Sequence, residues 1–239
     1  MHYIGGRDDT NANLTRRVLL LLESRPIGRR EAYDRVLRAI LDRYLSGDHG
    51  WIHDRSPFGV PRFLHNDISR YWRTVTVDFA YKQWSRRNEG WALRSAKLRM
   101  SRKLTYAAGL LYCFALANND ASPTSADPDP KRKLEAIELL GNLTASTPLD
   151  LLATAFMTSP SLRPAANQAL SAYDEFIAIL DDPADRDHLK TLPPDRGDAD
   201  SRYQRVRAIG REFQAGLNVL FFDDTSTSFP IWTREYGVF

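Results

Sequence analysis

Apolar residues recur every three or four positions along most of this chain, a spacing that places them on one face of an α-helix. The first such stretch follows Asn13, a residue type that favours helix N-caps. Six apolar residues between Leu14 and Leu22 surround this first helix on most sides, so we predict that it is central. Pro26 ends the helix at Arg25. The next apolar stripe predicts a second helix from Arg30 to Ser46.

Two long helices without proline are predicted next, from Arg62 to Arg87 and from Trp91 to Asn118. They are preceded by a Gly- and Pro-rich stretch, Gly47 to Pro61, which predicts a loop. Gly109 is the single glycine inside the second long helix and favours close approach of a neighbour. We name the segment Phe63 to Phe114 the basic hairpin, for the charge described below.

Shorter helices with clear start signals are predicted in the C-terminal half. Thr147 to Asp150 and Asp182 to Asp185 each place an oxygen at the cap and proline at the first position. Further apolar stripes predict helices over Ala165 to Leu180 and over Ala199 to Phe222. The chain then ends in an apolar tail, Phe229 to Phe239, which we expect to dock onto the body of the protein or onto a partner.

No convincing strand alternation and no internal repeat occur, so the predicted fold class is all-α. We expect an orthogonal multi-helix domain of about eight or nine helices built around the basic hairpin. The acidic, proline-rich stretch 119–130 predicts an exposed linker. It divides the chain into an N-terminal helical part, 1–118, and a C-terminal helical part, 131–239.

Composition excludes several classes of protein. The longest clean apolar run, Val18 to Leu22, has five residues, far fewer than the roughly 18 of a membrane-spanning helix. Because no secretory signal is recognisable, a cytoplasmic location is expected. A single cysteine, Cys113, excludes an internal disulfide and a CxxC site, and its apolar neighbours indicate a small core residue.

Positive charge is concentrated in the basic hairpin. Between Arg70 and Lys103 there are ten basic residues and two acidic ones, a balance of +8, whereas the whole chain carries +3. The remainder therefore sums to −5. Its most acidic stretch, Asp174 to Asp200, has nine acidic and three basic residues. The position of charge is thus more informative than its total.

Two interpretations of this charge remain open. In one, the basic hairpin is an open surface for phosphates, with Trp72, Trp84 or Trp91 available for stacking. In the other, acids such as Asp67, Asp78 or those of the acidic stretch neutralise it internally. The residues predicted to bind phosphate or a partner are Asn66, Arg70, Arg73, Arg94, Lys97 and Arg102.

Catalytic motifs are weak. His49 and His53, flanked by Asp48 and Asp54, suggest a metal phosphohydrolase of the HD type, yet the surrounding glycines and prolines favour a loop. Arg43 and His49 match the spacing of helical HEPN ribonucleases, in which such a pair acts on an RNA phosphate. Neither set is complete, so no catalytic residue, metal site or cofactor is predicted.

Four strings carry a resemblance to a known family: Leu14 to Ile27, Phe63 to Phe79, Glu89 to Leu104, and the terminal Tyr236 to Phe239. They resemble the helical C-terminal region of bacterial proteins that begin with a polymerase-β-type nucleotidyltransferase domain. The Gly-Ser turn and the metal-binding aspartate pair of that catalytic domain are absent from this chain. The resemblance therefore implies an accessory role, and no catalytic residue is carried over.

Three hypotheses follow. The first is a non-catalytic helical module that binds a nucleotide, a nucleic acid or a partner subunit through the basic hairpin. The second is a structural or regulatory homo-oligomer joined through the tail, Phe229 to Phe239. The third is a hydrolase of the HEPN or HD type around Arg43, His49 and His53. No membrane association is expected for any of them.

Overall fold

The computed structural model describes residues 4, 8–46, 60–117 and 130–237. In these ranges the regular secondary structure is helical and contains no strand, which confirms the all-α fold class. None of the described helices combines the length and apolar character required to cross a membrane.

The α-helices of the described ranges are, in chain order, α1 (Asn11–Leu22), α2 (Arg30–Ser46), α3 (Arg62–Ser85), α4 (Trp91–Lys97), α5 (Lys103–Ala117), α6 (Pro130–Leu143), α7 (Pro148–Phe156), α8 (Arg163–Asp181), α9 (Pro183–Thr191), α10 (Ser201–Asn218) and α11 (Phe229–Trp232). Three π-helical turns extend or join them, at Leu98–Arg102, Val219–Asp223 and Thr233–Gly237. Short 3₁₀ turns lie at Pro160–Leu162 and Pro194–Arg196.

The helices form two compact units, each assembled from separate stretches of chain. The first unit comprises the described residues of Met1–Tyr71, Thr105–Leu152 and Glu235–Phe239. The second comprises Trp72–Leu104 and the residues from Ala153 to Arg234. Helices α3, α5 and α7 each contribute residues to both units. Residues 118–129 lie outside the described part of the chain, so the division at the linker 119–130 stays a prediction.

In the first unit, α1 buries four of its apolar residues, and α2 packs against α6. The N-cap of α1 is Thr10 and not Asn13, because the Thr10 hydroxyl accepts the Asn13 N–H at 3.2 Å. Gly109 of α5 confirms the predicted close approach. A Cβ added there would lie 2.7 Å from Cγ2 of Ile68, so only glycine fits without movement.

In the second unit, α10 packs against α4, α8 and α9. The apolar residues predicted to point inward from this helix and its π-helical extension are all buried: Tyr203, Val206, Ile209, Phe213, Leu217 and Leu220. The predicted start of α9 is also confirmed, since the Asp182 carboxylate accepts the Asp185 N–H at 2.9 Å. The short helix α11 packs against the π-helical turn Val219–Asp223, so the start of the tail docks onto its own chain.

The predicted helix from Trp91 to Asn118 is interrupted by the π-helical turn Leu98–Arg102. A π-helical turn holds one residue more than an α-helical turn and shifts the register of the side chains that follow. The regular α-helical spacing therefore does not relate Arg94 to Arg102 across this turn. Such turns occur frequently at functional sites.

Candidate functional site

The six predicted binding residues do not share one environment. Asn66 and Arg70 belong to the first unit, whereas Arg73, Arg94, Lys97 and Arg102 belong to the second. The side chains of Asn66, Arg73, Lys97 and Arg102 are exposed, and those of Arg70 and Arg94 are half-buried. Each unit therefore has to be considered separately.

In the first unit, Arg70 lies at the edge of a buried polar network. Its Nη1 donates to Asp67 Oδ1 at 3.1 Å. The second oxygen of Asp67 accepts from Arg17 Nη2 at 2.8 Å and from the Tyr44 hydroxyl at 2.7 Å, and Arg17 also binds Asp9. Burial, together with the adjacent Asp67 carboxylate, raises the pKa of Tyr44, so the phenol remains a donor. Arg70 is thus part of an internal network.

The second unit contains the most basic part of the hairpin, Trp72–Leu104, which we name the basic segment. Lys82 pairs with Asp78 at 2.6 Å, one turn earlier on α3. In the part of the chain that the structure describes, five other cations of this segment are exposed and form no ion pair: Arg73, Arg86, Arg87, Lys97 and Arg99. Exposed, unpaired cations at this density attract polyanions.

Arg94 is half-buried and lies close to the exposed Arg86. Its Nη1 donates to the backbone carbonyl of Glu89, and an added Cβ at Gly90 would approach the same nitrogen at 3.3 Å. Nε and Nη2 are buried and have no hydrogen-bond partner among the described residues. Burial, with a further contribution from Arg86, lowers the pKa of the guanidinium. A cation with unsatisfied donors would be stabilised by an anion brought close to it.

Arg99 and Lys103 lie close to each other where the π-helical turn Leu98–Arg102 contacts α10. The aliphatic stem of Arg99 lies against Gly210, where an added Cβ would be 3.7 Å from its Cβ and Cδ. One helical turn further along α10, Gln214 Oε1 accepts from Lys103 Nζ at 2.6 Å. Burial lowers the pKa of the Lys103 ammonium, and the nearby Arg99 adds to this effect. The partner of Lys103 is a neutral amide, which leaves the positive charge of this pair uncompensated.

The acidic stretch Asp174 to Asp200 packs beside the basic segment, since α9 contacts α4. Four of its nine carboxylates pair with bases of their own region. Arg202, Arg205 and Arg207 of α10 bind Asp185, Glu175 and Asp198 respectively, at 2.5 to 3.1 Å. Asp200 binds His188 at 2.7 Å. None of these four pairs includes a cation of the basic segment.

The three tryptophans predicted to be available for stacking differ in how far their rings are exposed. Trp91 packs on Tyr203, with ring centroids 4.8 Å apart, and covers Gly197. Trp72 is half-buried. Trp84 is 78% exposed, and its ring centroid lies 6.0 Å from that of Tyr81, which is itself 60% exposed. Only Trp84 thus offers an open ring face.

The charge balance of the basic hairpin includes Arg86, Arg87, Arg99 and Lys103, but none of these four was among the predicted binding residues. The helical period alone could not distinguish them from their neighbours, because the turn after α3 and the π-helical turn both depart from that period. Gln214 carried no signal at all, since its contact with Lys103 joins positions 111 residues apart.

Most residues of the hydrolase hypothesis lie outside the described part of the chain. Arg43 is exposed in the last turn of α2. Asp48, His49, His53 and Asp54 lie outside the described residues. Within the described ranges, no three His, Cys, Asp or Glu side chains are grouped so that they could hold a metal ion. Cys113 is fully buried, and burial raises the pKa of its thiol far above the ordinary value.

Comparisons of the chain with family models, with curated proteins and with solved structures give no match.

Proposed function

We propose that this protein is a non-catalytic binding module whose basic segment holds a phosphate-bearing partner, a nucleotide or a nucleic acid. One observation carries the proposal. Of the nine acids of the acidic stretch, three pair with arginines of α10 and Asp200 pairs with His188. In the described part of the chain, five exposed cations of the basic segment form no ion pair: Arg73, Arg86, Arg87, Lys97 and Arg99. Guanidinium groups bind phosphate through paired, charge-assisted hydrogen bonds.

The half-buried groups behind the surface support the same chemistry. Arg94 adds a positive charge next to Arg86, and Lys103 lies beside Arg99 and donates to a neutral amide. Both cations are held in place by the fold, so less side-chain entropy is lost when an anion binds. Arg70 is removed from the predicted site, because Asp67 already binds it.

The resemblance to nucleotidyltransferase-associated helical regions agrees with a phosphate-bearing partner and remains a prediction. The homo-oligomer hypothesis has less support, because Phe229, the first aromatic residue of the tail, is buried in its own chain.

The decisive experiment compares two triple variants with the same change in net charge. The first replaces exposed, unpaired arginines: Arg73→Ala, Arg86→Ala and Arg99→Ala. The control replaces the ion-paired arginines of α10: Arg202→Ala, Arg205→Ala and Arg207→Ala. Fluorescence anisotropy would measure the affinity for a labelled oligonucleotide between about 50 and 200 mM salt, the range over which phosphate contacts weaken strongly.

We expect the first variant to lose at least about tenfold in affinity, with a salt dependence shallower by about two in log–log slope. The control should bind like the wild type, and circular dichroism should show that both variants remain helical. Equal losses in both variants would show a response to total charge alone. Wild-type binding that does not depend on salt would refute the proposal.

A further inference from the structure

The outer half of α3 carries large apolar side chains without a core to bury them. No residue from Trp72 to Trp91 is buried, although this stretch includes Val77, Tyr81 and Trp84. These three residues follow each other at intervals of four and three, so they form one stripe about 10 Å long on the helix surface. We name them the aromatic stripe. Their exposed fractions are 68%, 60% and 78%.

Exposed arginines stand at both ends of the stripe. Arg73 lies one turn before Val77 on the same face of α3, and Arg86 and Arg87 follow Trp84 after one intervening residue, Ser85. None of the three forms an ion pair in the described part of the chain. Exposed cations therefore lie on both sides of the exposed aromatic rings along this segment.

The backbone has an unusual conformation at Arg87, at one end of the stripe. The Arg87 N–H donates to the Trp84 carbonyl, and the Asn88 N–H donates to the Gln83 carbonyl. This is the Schellman pattern, in which the residue at the position of Arg87 is usually glycine because its φ is positive. Here φ is 47° at an arginine. The chain thus holds a cation where the backbone favours a residue without a side chain.

We propose that the partner is a single-stranded nucleic acid, whose bases stack on Trp84 and Tyr81 while its phosphates bind the flanking arginines. This inference rests on the proposed function, since it identifies the class of phosphate-bearing partner. Every base has a π face, so aromatic platforms between cations bind single strands with little dependence on sequence. In a duplex the same faces are covered by neighbouring base pairs, so the exposed rings cannot stack on them.

Charge disfavours the simplest alternative occupant, a second copy of this chain. Residues 72–90 contain four basic and two acidic side chains, and one acid, Asp78, is paired with Lys82. Two such helices packed through their aromatic stripes would bring like charges together, which costs free energy. A polyanion meets the same surface with the opposite sign.

The test uses three probes of equal length, a single-stranded oligonucleotide, its duplex and a strand with abasic sites, and repeats the single strand at raised salt. The variant is Tyr81→Ala with Trp84→Ala. Its conservative partner, Tyr81→Phe with Trp84→Phe, keeps an aromatic ring at each position. Met157→Ala is the matched control, because Met157 is also a highly exposed apolar residue of the second unit.

We expect the alanine variant to lose about tenfold or more in affinity for the single strand, as base stacking on two rings implies. Its affinity for the duplex and for the abasic strand should change little. The phenylalanine variant and Met157→Ala should bind like the wild type. Because the stripe is exposed, all variants should unfold at the wild-type denaturant concentration.

The two proposals fail in different ways. If the alanine variant keeps full affinity while the Arg73, Arg86 and Arg99 triple variant loses it, stacking is refuted and phosphate binding stands. If no probe binds the wild type, both fail. If light scattering shows a dimer that the alanine variant dissociates, with binding of the single strand unchanged, then a second copy occupies the stripe and this inference is overturned.

Discussion

Arg17 of α1 and Asp67 of α3 form an ion pair at 2.8 Å, with side chains only 11% and 6% exposed. The same guanidinium binds Asp9 through both of its terminal nitrogens, and its Nε donates to the Tyr44 hydroxyl at 2.9 Å. Three helices of the first unit therefore meet at one carboxylate. A buried charge in such a network depends on its partner far more than a surface charge does.

Removing the acceptor of this pair should destabilise the first unit strongly. We expect Asp67→Asn to reduce the free energy of unfolding by about 1–3 kcal/mol, because Arg17 keeps Asp9 but the charged acceptor shared by Arg17 and Tyr44 is lost. The matched control is Asp34→Asn, which breaks the exposed pair of Arg30 and Asp34 and should cost less than about 1 kcal/mol. Urea denaturation followed by circular dichroism measures both. Similar costs at the two sites would contradict the argument.

His65 should make stability depend on pH. It is 4% exposed, stacks near Phe114, and burial lowers its pKa from 6.5 to about 4. The unfolded chain therefore takes up a proton near pH 6.5, which the folded chain resists until about pH 4. Stability is unaffected above pH 6.5 and falls between these values, by about 3 kcal/mol in all.

The test is to measure unfolding of wild type and His65→Gln at pH 7 and at pH 4. Carboxylates contribute equally to both proteins, so the difference between their pH dependences isolates His65. We expect the wild type to lose about 3 kcal/mol more than the variant. Parallel curves would show that the imidazole is not held neutral by the fold.

Arg87→Gly should stabilise the second unit. The left-handed conformation at this position costs an L-residue roughly 1 kcal/mol that glycine does not incur. Thermal unfolding should therefore shift to higher temperature, whereas Asn88→Gly should shift it less, because asparagine tolerates positive φ. If Arg87 also binds phosphate, the same variant will be more stable yet bind the oligonucleotide more weakly. A destabilised variant would contradict the strain argument.

Two glycines in helices should respond to alanine in opposite directions. At Gly216 an added Cβ would lie 2.7 Å from the Ala165 carbonyl oxygen and from Ala169 Cβ, so Gly216→Ala should cost about 1–3 kcal/mol. At Gly141 nothing lies within 4 Å, and Gly141→Ala should be neutral or stabilise by up to about 1 kcal/mol. Denaturant titration of the two variants side by side tests the packing directly.

Local sequence signals predicted the fold class and several element boundaries. The helix Arg30–Ser46 and the inward face of α10 were predicted correctly, because apolar periodicity and caps act within one or two turns. The N-cap at Thr10 was missed, since Asn13 is an equally good capping residue three positions later. The π-helical turn could not be predicted, because it changes the period on which the prediction depends.

The candidate site was only partly predictable for a related reason. Counting charge located the basic segment, but neutralisation depends on which acid meets which base in three dimensions. Arg70 looked equivalent to Arg73 in sequence, yet Asp67 pairs with Arg70 whereas no acid of the described residues pairs with Arg73. The pairing of α10 arginines with the acidic stretch likewise arises from tertiary packing.

The assembly of the second unit from Trp72–Leu104 and a much later stretch has a consequence for synthesis on the ribosome. The basic segment emerges well before the helices that complete its unit, and at ordinary elongation rates the delay is on the order of ten seconds. Throughout this interval Trp91 lacks Tyr203, on which it packs in the folded protein. The nascent chain therefore carries the basic segment uncovered until α10 has been synthesised.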